Sequence, residues 1–322
     1  MLKAHVFSYY LLVKFMFWKK SINKIFFTTL VVFVCFVMYS FNLTDYDSSS
    51  SGGISSNVNL YTVNNDSYVS MTSVFLDSDS LEDKVRDVLD IMVVDSNKSA
   101  LLPSYFNPIL PKNTKVLDVV FDGDVLKIYF SSELMDITSE QSEKMIESIT
   151  YTLLGFDEVV GVEIYVSGSL LKYVPNTNKK LPAVLTSSYG VNKSYDLSSN
   201  MDIKRILLYY YTMNNDSYYL IPVTKYVNDK REKVEIIIEE LSGFIYHDNL
   251  VSMLSNNIRL VDYKVSSDRV SLVFDEGFTS FSDIMVKPLF CSIFANYDVD
   301  FVDISVNGDK ILEKSKKDIE NY

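Results

Sequence analysis

The sequence predicts an α+β protein: an N-terminal transmembrane helix, then one module of β-β-α-β-β-α-β order used twice, each copy with two helices on one face of a small sheet. Three observations predict this. Residues 115–130 (KVLDVVFDGDVLKIYF) alternate apolar and polar side chains around Asp122-Gly123-Asp124. Period-two alternation marks a half-buried sheet, and glycine tolerates the positive φ of a tight hairpin. The pattern returns in residues 259–274 (RLVDYKVSSDRVSLVF). An uncharged apolar run begins at Ile25 and ends at Phe41.

The run (IFFTTLVVFVCFVMYSF) would span about 26 Å as a helix, near the short end for a bilayer. Lys3, Lys14, Lys19, Lys20 and Lys24 precede it with no acid among them, and Asp45 is the first acid after it. Lysine-rich flanks stay in the cytoplasm, so the expected location is the cell membrane, single-pass, with the body outside. No small-x-small cleavage site follows, which favours an anchor over a cleaved signal peptide. Val34 before Cys35 does not fit a lipoprotein. Translation starts at Met1, giving residues 1–24 a basic cytoplasmic lead-in, or at Met16. Residues 42–56 hold Ser48-Ser-Ser-Ser-Gly-Gly53 and read as a flexible tether.

The first module is placed at residues 57–175. Strands are expected at 58–63 and 68–75, around Asn64-Asn65-Asp66-Ser67. Ser80 can cap a helix whose stripe is Leu81, Val85, Val88, Leu89 and Met92. In the hairpin, Leu117, Val119 and Phe121 should face the core with Leu126, Ile128 and Phe130. Thr138 and Gln141 have capping-box spacing before a helix carrying Met145, Ile146, Ile149 and Leu153, with Gly155 as C-terminal cap. A strand with Val160, Val162, Ile164 and Val166 on one face closes the module. Residues 176–202 form a linker, long enough that part of it should pack on a module.

The second module is placed at residues 203–314. Strands are expected at 206–211 and 219–227, and Asn214-Asn-Asp-Ser-Tyr218 repeats Asn64-Asn-Asp-Ser-Tyr68 letter for letter. A helix carries Val234, Ile237, Ile238 and Leu241 and stops at Gly243. Val261, Tyr263 and Val265 should pair with Val270, Leu272 and Phe274, followed by a helix over 281–296. Val302-Asp-Ile-Ser-Val-Asn-Gly308 matches Val162-Glu-Ile-Tyr-Val-Ser-Gly168. Matches at several places in one order point to duplication. The lysine-rich end, residues 310–317, reads as solvated, with 315–322 a tail.

Chemistry is sparse in these residues. Net charge is −12; beyond residue 24 there are 25 basic against 42 acidic residues, a net of −17, which disfavours nucleic acid. The body has one histidine, His247, in what reads as a loop after a helix, and one cysteine, Cys291, which reads as a buried helix thiol among Phe290, Ile293 and Phe294. No zinc set, EF-hand or phosphate loop is present, so no catalytic residue, metal or cofactor is assigned. Asp77/Asp79, Asp122/Asp124 and Asp298/Asp300/Asp303 lie at turns, where Asp serves the backbone. What remains is surface. The sheet face away from the helices would carry Lys127, Tyr129, Glu163 and Tyr165, a mixture that suits a protein partner or self-association, or is simply solvated. A strand edge near residues 209–211 is a second candidate surface.

Tyr219-Leu-Ile-Pro-Val-Thr-Lys-Tyr-Val227, Glu239-Glu-Leu-Ser-Gly243, the hairpin at 115–134, residues 149–164 and Gly190-Val-Asn-Lys-Ser-Tyr-Asp196 together resemble the spore germination protein GerM family, whose modules are called GerMN domains. Phe244 stands where that family has proline after glycine, and many members are lipoproteins. The resemblance implies modules similar to ring-building motifs and a non-enzymatic assembly role outside the membrane. The alternatives are a module that binds the peptidoglycan of a cell wall and, third, a carboxylate-based hydrolase.

Overall fold

A computed structural model describes residues 56–214, 217–243, 245–247, 249–252, 254, 257–278 and 282–320. All fall in the unit from Ile54 to Tyr322. The lead-in, the apolar run from Ile25 and nearly all of the tether lie outside the described residues. Among the described residues no helix is long and apolar enough to cross a membrane.

The first module begins with β1 (Ser56–Asn64) and β2 (Val69–Leu76), an antiparallel hairpin that a short β3 (Phe106–Asn107) joins in the order β2-β1-β3. Between β2 and β3, α1 (Leu81–Ile91) starts where expected: Ser80 Oγ accepts from Asp83 N at 3.0 Å. A second sheet follows, from β4 (Val116–Asp122), β5 (Val125–Phe130), β6 (Gly161–Val166) and β7 (Ser169–Leu170), with α2 (Ser139–Leu153) between β5 and β6. Its order is β4-β5-β6-β7, and β5 and β6 run parallel.

The chain then supplies β8 (Ser194–Asp196) to the second module. There follow β9 (Lys204–Asn214), β10 (Ser217–Val227), α3 (Lys233–Ser242), β11 (Ile245–His247), β12 (Leu250–Val251), β13 (Leu260–Val265), β14 (Arg269–Phe274), α4 (Asp283–Asn296), β15 (Phe301–Val306), β16 (Asp309–Ser315) and α5 (Lys316–Glu320). The sheets are β11-β12-β9-β10-β8 and β13-β14-β15-β16.

Each module therefore holds two sheets, not one small sheet under two helices. The reason lies in side-chain contacts between residues far apart in the chain. Thr152 on α2 accepts from Tyr61 N at 2.9 Å and donates to Tyr61 O at 3.3 Å. On α4, Ser292 Oγ accepts from Tyr209 N at 2.9 Å, while Asn296 takes Leu207 N at 3.1 Å and donates to Leu207 O at 2.7 Å. The second helix of each module thus occupies ladder groups of the first strand where another strand would dock, satisfying buried amides with side chains.

The predicted stripes are the cores. Val85, Leu89, Leu126, Ile128, Met145, Ile149 and Val162 anchor the first, and Val234, Ile237, Val270, Leu272, Leu289 and Val302 the second. Tyr61, Val69, Tyr151, Val191, Leu207, Tyr209, Tyr211, Leu220 and Cys291 form a third between the modules.

Several expectations need correction. Val116 pairs with Phe130 and Asp118 with Tyr129, so Leu117 is the extra residue of a β-bulge and stands 56% exposed. Leu260 pairs with Phe274 and Asp262 with Val273, leaving Val261 in the same position at 61% exposed. One inserted residue moves its side chain off the core face. Both bulges are closed alike: Asp118 Oδ1 accepts from Val119 N at 2.9 Å, and Asp262 Oδ1 from Tyr263 N at 2.8 Å. Phe121 and Val265, at the hairpin ends of these edge strands, are exposed as well. Val160 is exposed because β6 starts one residue later, with Val160 N held by Asp124 O at 2.8 Å. Thr138 is the N-cap of α2, but its side chain makes no capping bond, and Gly155 is not left-handed. Residues 310–317 are largely exposed, as expected, but they are strand and helix and not a loose tail. Asn307 (φ 52°) and Gly308 (φ 88°) form a two-residue turn that folds β16 back on β15, as Ser167 (φ 50°) and Gly168 (φ 78°) fold β7 on β6. The identical pentapeptides close different turns: Asn64 Oδ1 holds the amides of Asp66 and Tyr68 at 3.0 and 2.9 Å, whereas Asn214 pairs directly with Ser217.

Candidate functional site

The parallel register of β5 and β6 sets Lys127 beside Glu163 and Tyr129 beside Tyr165. Their strand neighbours Ile128 and Ile164 point into the core. The tyrosine rings stack with centroids 4.6 Å apart and planes 19° apart. Tyr165 donates its hydroxyl to Glu163 Oε2 at 2.8 Å, which holds that hydroxyl above its ordinary pKa. Lys127 Nζ lies 2.7 Å from Asp122 Oδ2, so the pair raises the lysine and lowers the carboxylate. All four residues form one half-buried patch.

The matching face of the second module has diverged. Asp303, buried, accepts from Ser271 Oγ and Arg269 Nη1, both at 3.0 Å. Arg269 also reaches Glu313 Oε2 at 2.7 Å and lies 5.2 Å from the Phe301 ring centroid. There the aromatic pair is replaced by an ion network that uses up its own charges.

Of the carboxylates expected at turns, Asp303 instead lies within β15, where it pairs with Ser271 and is buried. Among the described residues no three His, Cys, Asp or Glu side chains are grouped as metal ligands. Burial pushes the Cys291 thiol up to about 12, far from a nucleophile's range. His5, Cys35 and the side chain of His247 lie outside the described residues. Tyr209, Tyr210 and Tyr211, expected on an open strand edge, are buried because β9 is an inner strand of its sheet.

What the sequence reading did not single out is the joint between modules, built by residues 190–196. Gly190 has φ 80°, and a Cβ there would stand 2.9 Å from Tyr226 Oη. Val191 and Thr224 exchange bonds, Val191 N to Thr224 Oγ1 and Thr224 N to Val191 O, each 2.8 Å. Asn192 Oδ1 accepts from Val69 N at 3.0 Å, and its Nδ2 donates to Val69 O and Pro222 O, each at 2.7 Å. One side chain thus clasps β2 of the first module to β10 of the second. Beyond it β8 pairs parallel with the end of β10. At the tip of the first hairpin, Asp66 Oδ2 accepts from Tyr105 and, at 3.3 Å, from Thr212 Oγ1 across the joint. Tyr105 stacks on Tyr219 at 4.9 Å. The resemblance of residues 190–196 and 219–227 to family segments marked these stretches, but spacing alone does not say that they lock together.

Next to Asn192, Lys193 Nζ sits 2.8 Å from both Glu143 Oε1 and Glu147 Oε1, and 3.9 Å from the Tyr189 ring centroid. Glu147 also accepts from Asn192 N at 3.0 Å. Burial raises the Glu147 carboxyl above its ordinary value; burial would lower Lys193, but Glu147 and Glu143 outweigh it and hold the lysine charged. This group floors a cleft of about 450 Å³ whose walls include Glu140, Lys144, Lys179 and Tyr195.

Residues 59–172 match the family model described as "Germane: Sporulation and spore germination". The chain is 26% identical over 270 residues to the spore germination protein GerM of Bacillus subtilis (strain 168), covering 80% of this chain and 73% of that one. This is a GerM-like chain. The tandem GerMN domains of the sporulation protein GerM from Bacillus subtilis superpose on it with a TM-score of 0.74 at 24% identity, covering 79% of this chain and 92% of that one. The GerM-like fold is thus α+β with tandem GerMN-like modules.

Proposed function

We propose that this GerM-like chain is a non-catalytic assembly protein of a sporulation or spore-germination envelope complex, anchored by the run that starts at Ile25, with its N-terminus in the cytoplasm and its folded body outside. One observation carries the reading: the modules share a buried core and a side-chain clasp, while the first keeps a paired tyrosine surface on the face away from its helices. A body built this way presents a surface at a set position, which is what an assembly partner needs. The names of its relatives supply the setting.

The test has two arms. A photo-crosslinker placed at Lys127 in the full chain in intact cells should capture a protein in this patch, either another envelope protein or a second copy. Capture of nothing, with sedimentation of the purified chain on peptidoglycan instead, would favour the cell-wall reading. Protease treatment of intact protoplasts should digest the body; survival of residues 57–322 would sink the proposed topology.

A further inference from the structure

We propose that the end of the second module where the chain passes from β8 to β9 docks on the surface of a bilayer that contains anionic lipid. Asn228 fixes the connection: its Oδ1 accepts from Ser198 N at 2.7 Å and Ser199 N at 2.9 Å, and its Nδ2 donates to Met201 O at 2.6 Å. A loop held at three backbone groups nevertheless turns Leu197, Met201 and Ile203 outward, Met201 at 75% exposed. Tyr195, stacked on Tyr226 at 5.0 Å, stands beside them and is exposed too. Apolar side chains grouped on a fixed surface mark a place of contact.

Cations crowd the same end. Lys204 donates to Arg231 O, and Arg205 Nη1 to Ser187 O at 2.7 Å, both backbone carbonyls. Burial and then the charges of Arg205 and Lys204 press the Lys233 ammonium below its ordinary pKa, with Glu232 working against them. Among the described residues none of these three cations forms an ion pair. Residues 195–205 and 225–233 together hold six basic against four acidic side chains, in a chain of net charge −12. Charges beyond about 8 Å are screened at physiological salt, so a headgroup meets this end and not the whole acidic chain. Aliphatic and tyrosine side chains beside cations suit the interface of a bilayer; a soluble anion would use the cations and leave Met201 and Ile203 in water. The length of the chain leads to the same occupant. Anchored as proposed above, residues 42–56 reach at most about 50 Å, so the unit stays at the bilayer. The inference rests on that anchoring for proximity alone.

The experiment reads this surface in the full chain. Met201→Trp is placed in a Trp18→Phe background, which removes the one native tryptophan, and the protein is reconstituted in vesicles of phosphatidylcholine alone or with phosphatidylglycerol. With phosphatidylglycerol the emission should shift to the blue and be quenched by lipids brominated on their tails. With phosphatidylcholine alone it should stay solvent-like. Lys204→Gln combined with Lys233→Gln should lower the docked-to-undocked ratio about thirtyfold while the melting temperature holds. Raised salt should undock the parent in the same way. Solvent-like emission in both kinds of vesicle, or equal quenching in both, would overturn the proposal. A blue shift that brominated lipid does not quench, and that grows with protein density, would assign the surface to a second copy and overturn it as well. If alkaline carbonate strips the chain from the vesicles, the anchoring falls instead, and the same emission is then read with vesicles added to the free chain. The crosslinking result at Lys127 is independent of these outcomes.

Discussion

Tyr129 and Tyr165 come from strands separated by a whole helix, yet meet ring to ring because β5 and β6 are parallel and in register. Changing both to Ala removes one stacked pair from a half-buried face, which should cost about 1 kcal/mol of folding stability. A tyrosine at the centre of a partner interface loses about 2 kcal/mol or more when truncated. The double variant should therefore melt close to the parent and lose its captured partner; unfolding would show that these rings are core. A second test concerns the joint. Burial raises the Tyr61 hydroxyl and the Cys291 thiol to about 12 each, from 10.0 and 9.0. A group whose folded pKa is raised lends stability below its unfolded pKa and loses it as pH climbs toward the folded one. Urea midpoints should thus be flat up to about pH 9 and fall between there and about 12, with Cys291 reacting with a thiol reagent only over that fall. Ready reaction at neutral pH would show the joint to be open.

At the scale of elements, the instructive feature is the bulge that both modules carry at the same place. Leu117 and Val261 look like core residues because they sit in alternating apolar strings; each is the extra residue of its strand and points outward. Leu117→Lys should change stability by no more than about 0.5 kcal/mol, whereas Val119→Lys puts an unpaired charge into the core and should abolish the folded state. Equal damage from the two would mean that β4 pairs without a bulge. The helices were legible from their stripes alone, since Met145, Ile146, Ile149 and Leu153 are all fully buried. Their partner was not: that α2 lies along β1, with Thr152 bonded to the Tyr61 backbone, depends on contacts ninety-one residues apart.

For the whole molecule, the question is whether two modules behave as one. The third core and the Asn192 clasp imply a single cooperative unfolding transition for the described unit. Asn192→Ala leaves Val69 N, Val69 O and Pro222 O without their shared partner, at about 1–3 kcal/mol for each buried group left unsatisfied. Calorimetry of this variant should show a broadened or split transition, and small-angle scattering a larger radius. A sharp single transition with the parent's dimensions would mean that the apolar core alone holds the joint.

By itself the sequence determined the period of each strand and helix, the duplication and the two hairpins, because these follow from local alternation and turn chemistry that neighbouring residues impose on one another. It also placed Lys127, Tyr129, Glu163 and Tyr165 on one face, since a strand's period of two leaves no other arrangement once Ile128 and Ile164 are buried. Only the tertiary structure decided that each module divides its strands between two sheets, that the lysine-rich end folds back as β16, and that residues 190–196 join two bodies. Those outcomes rest on which backbone groups are still unpaired after local structure has formed. The groups that satisfy them, Thr152, Asn192 and Ser292, are small polar residues whose side chains carry no periodic signal and whose partners lie far along the chain.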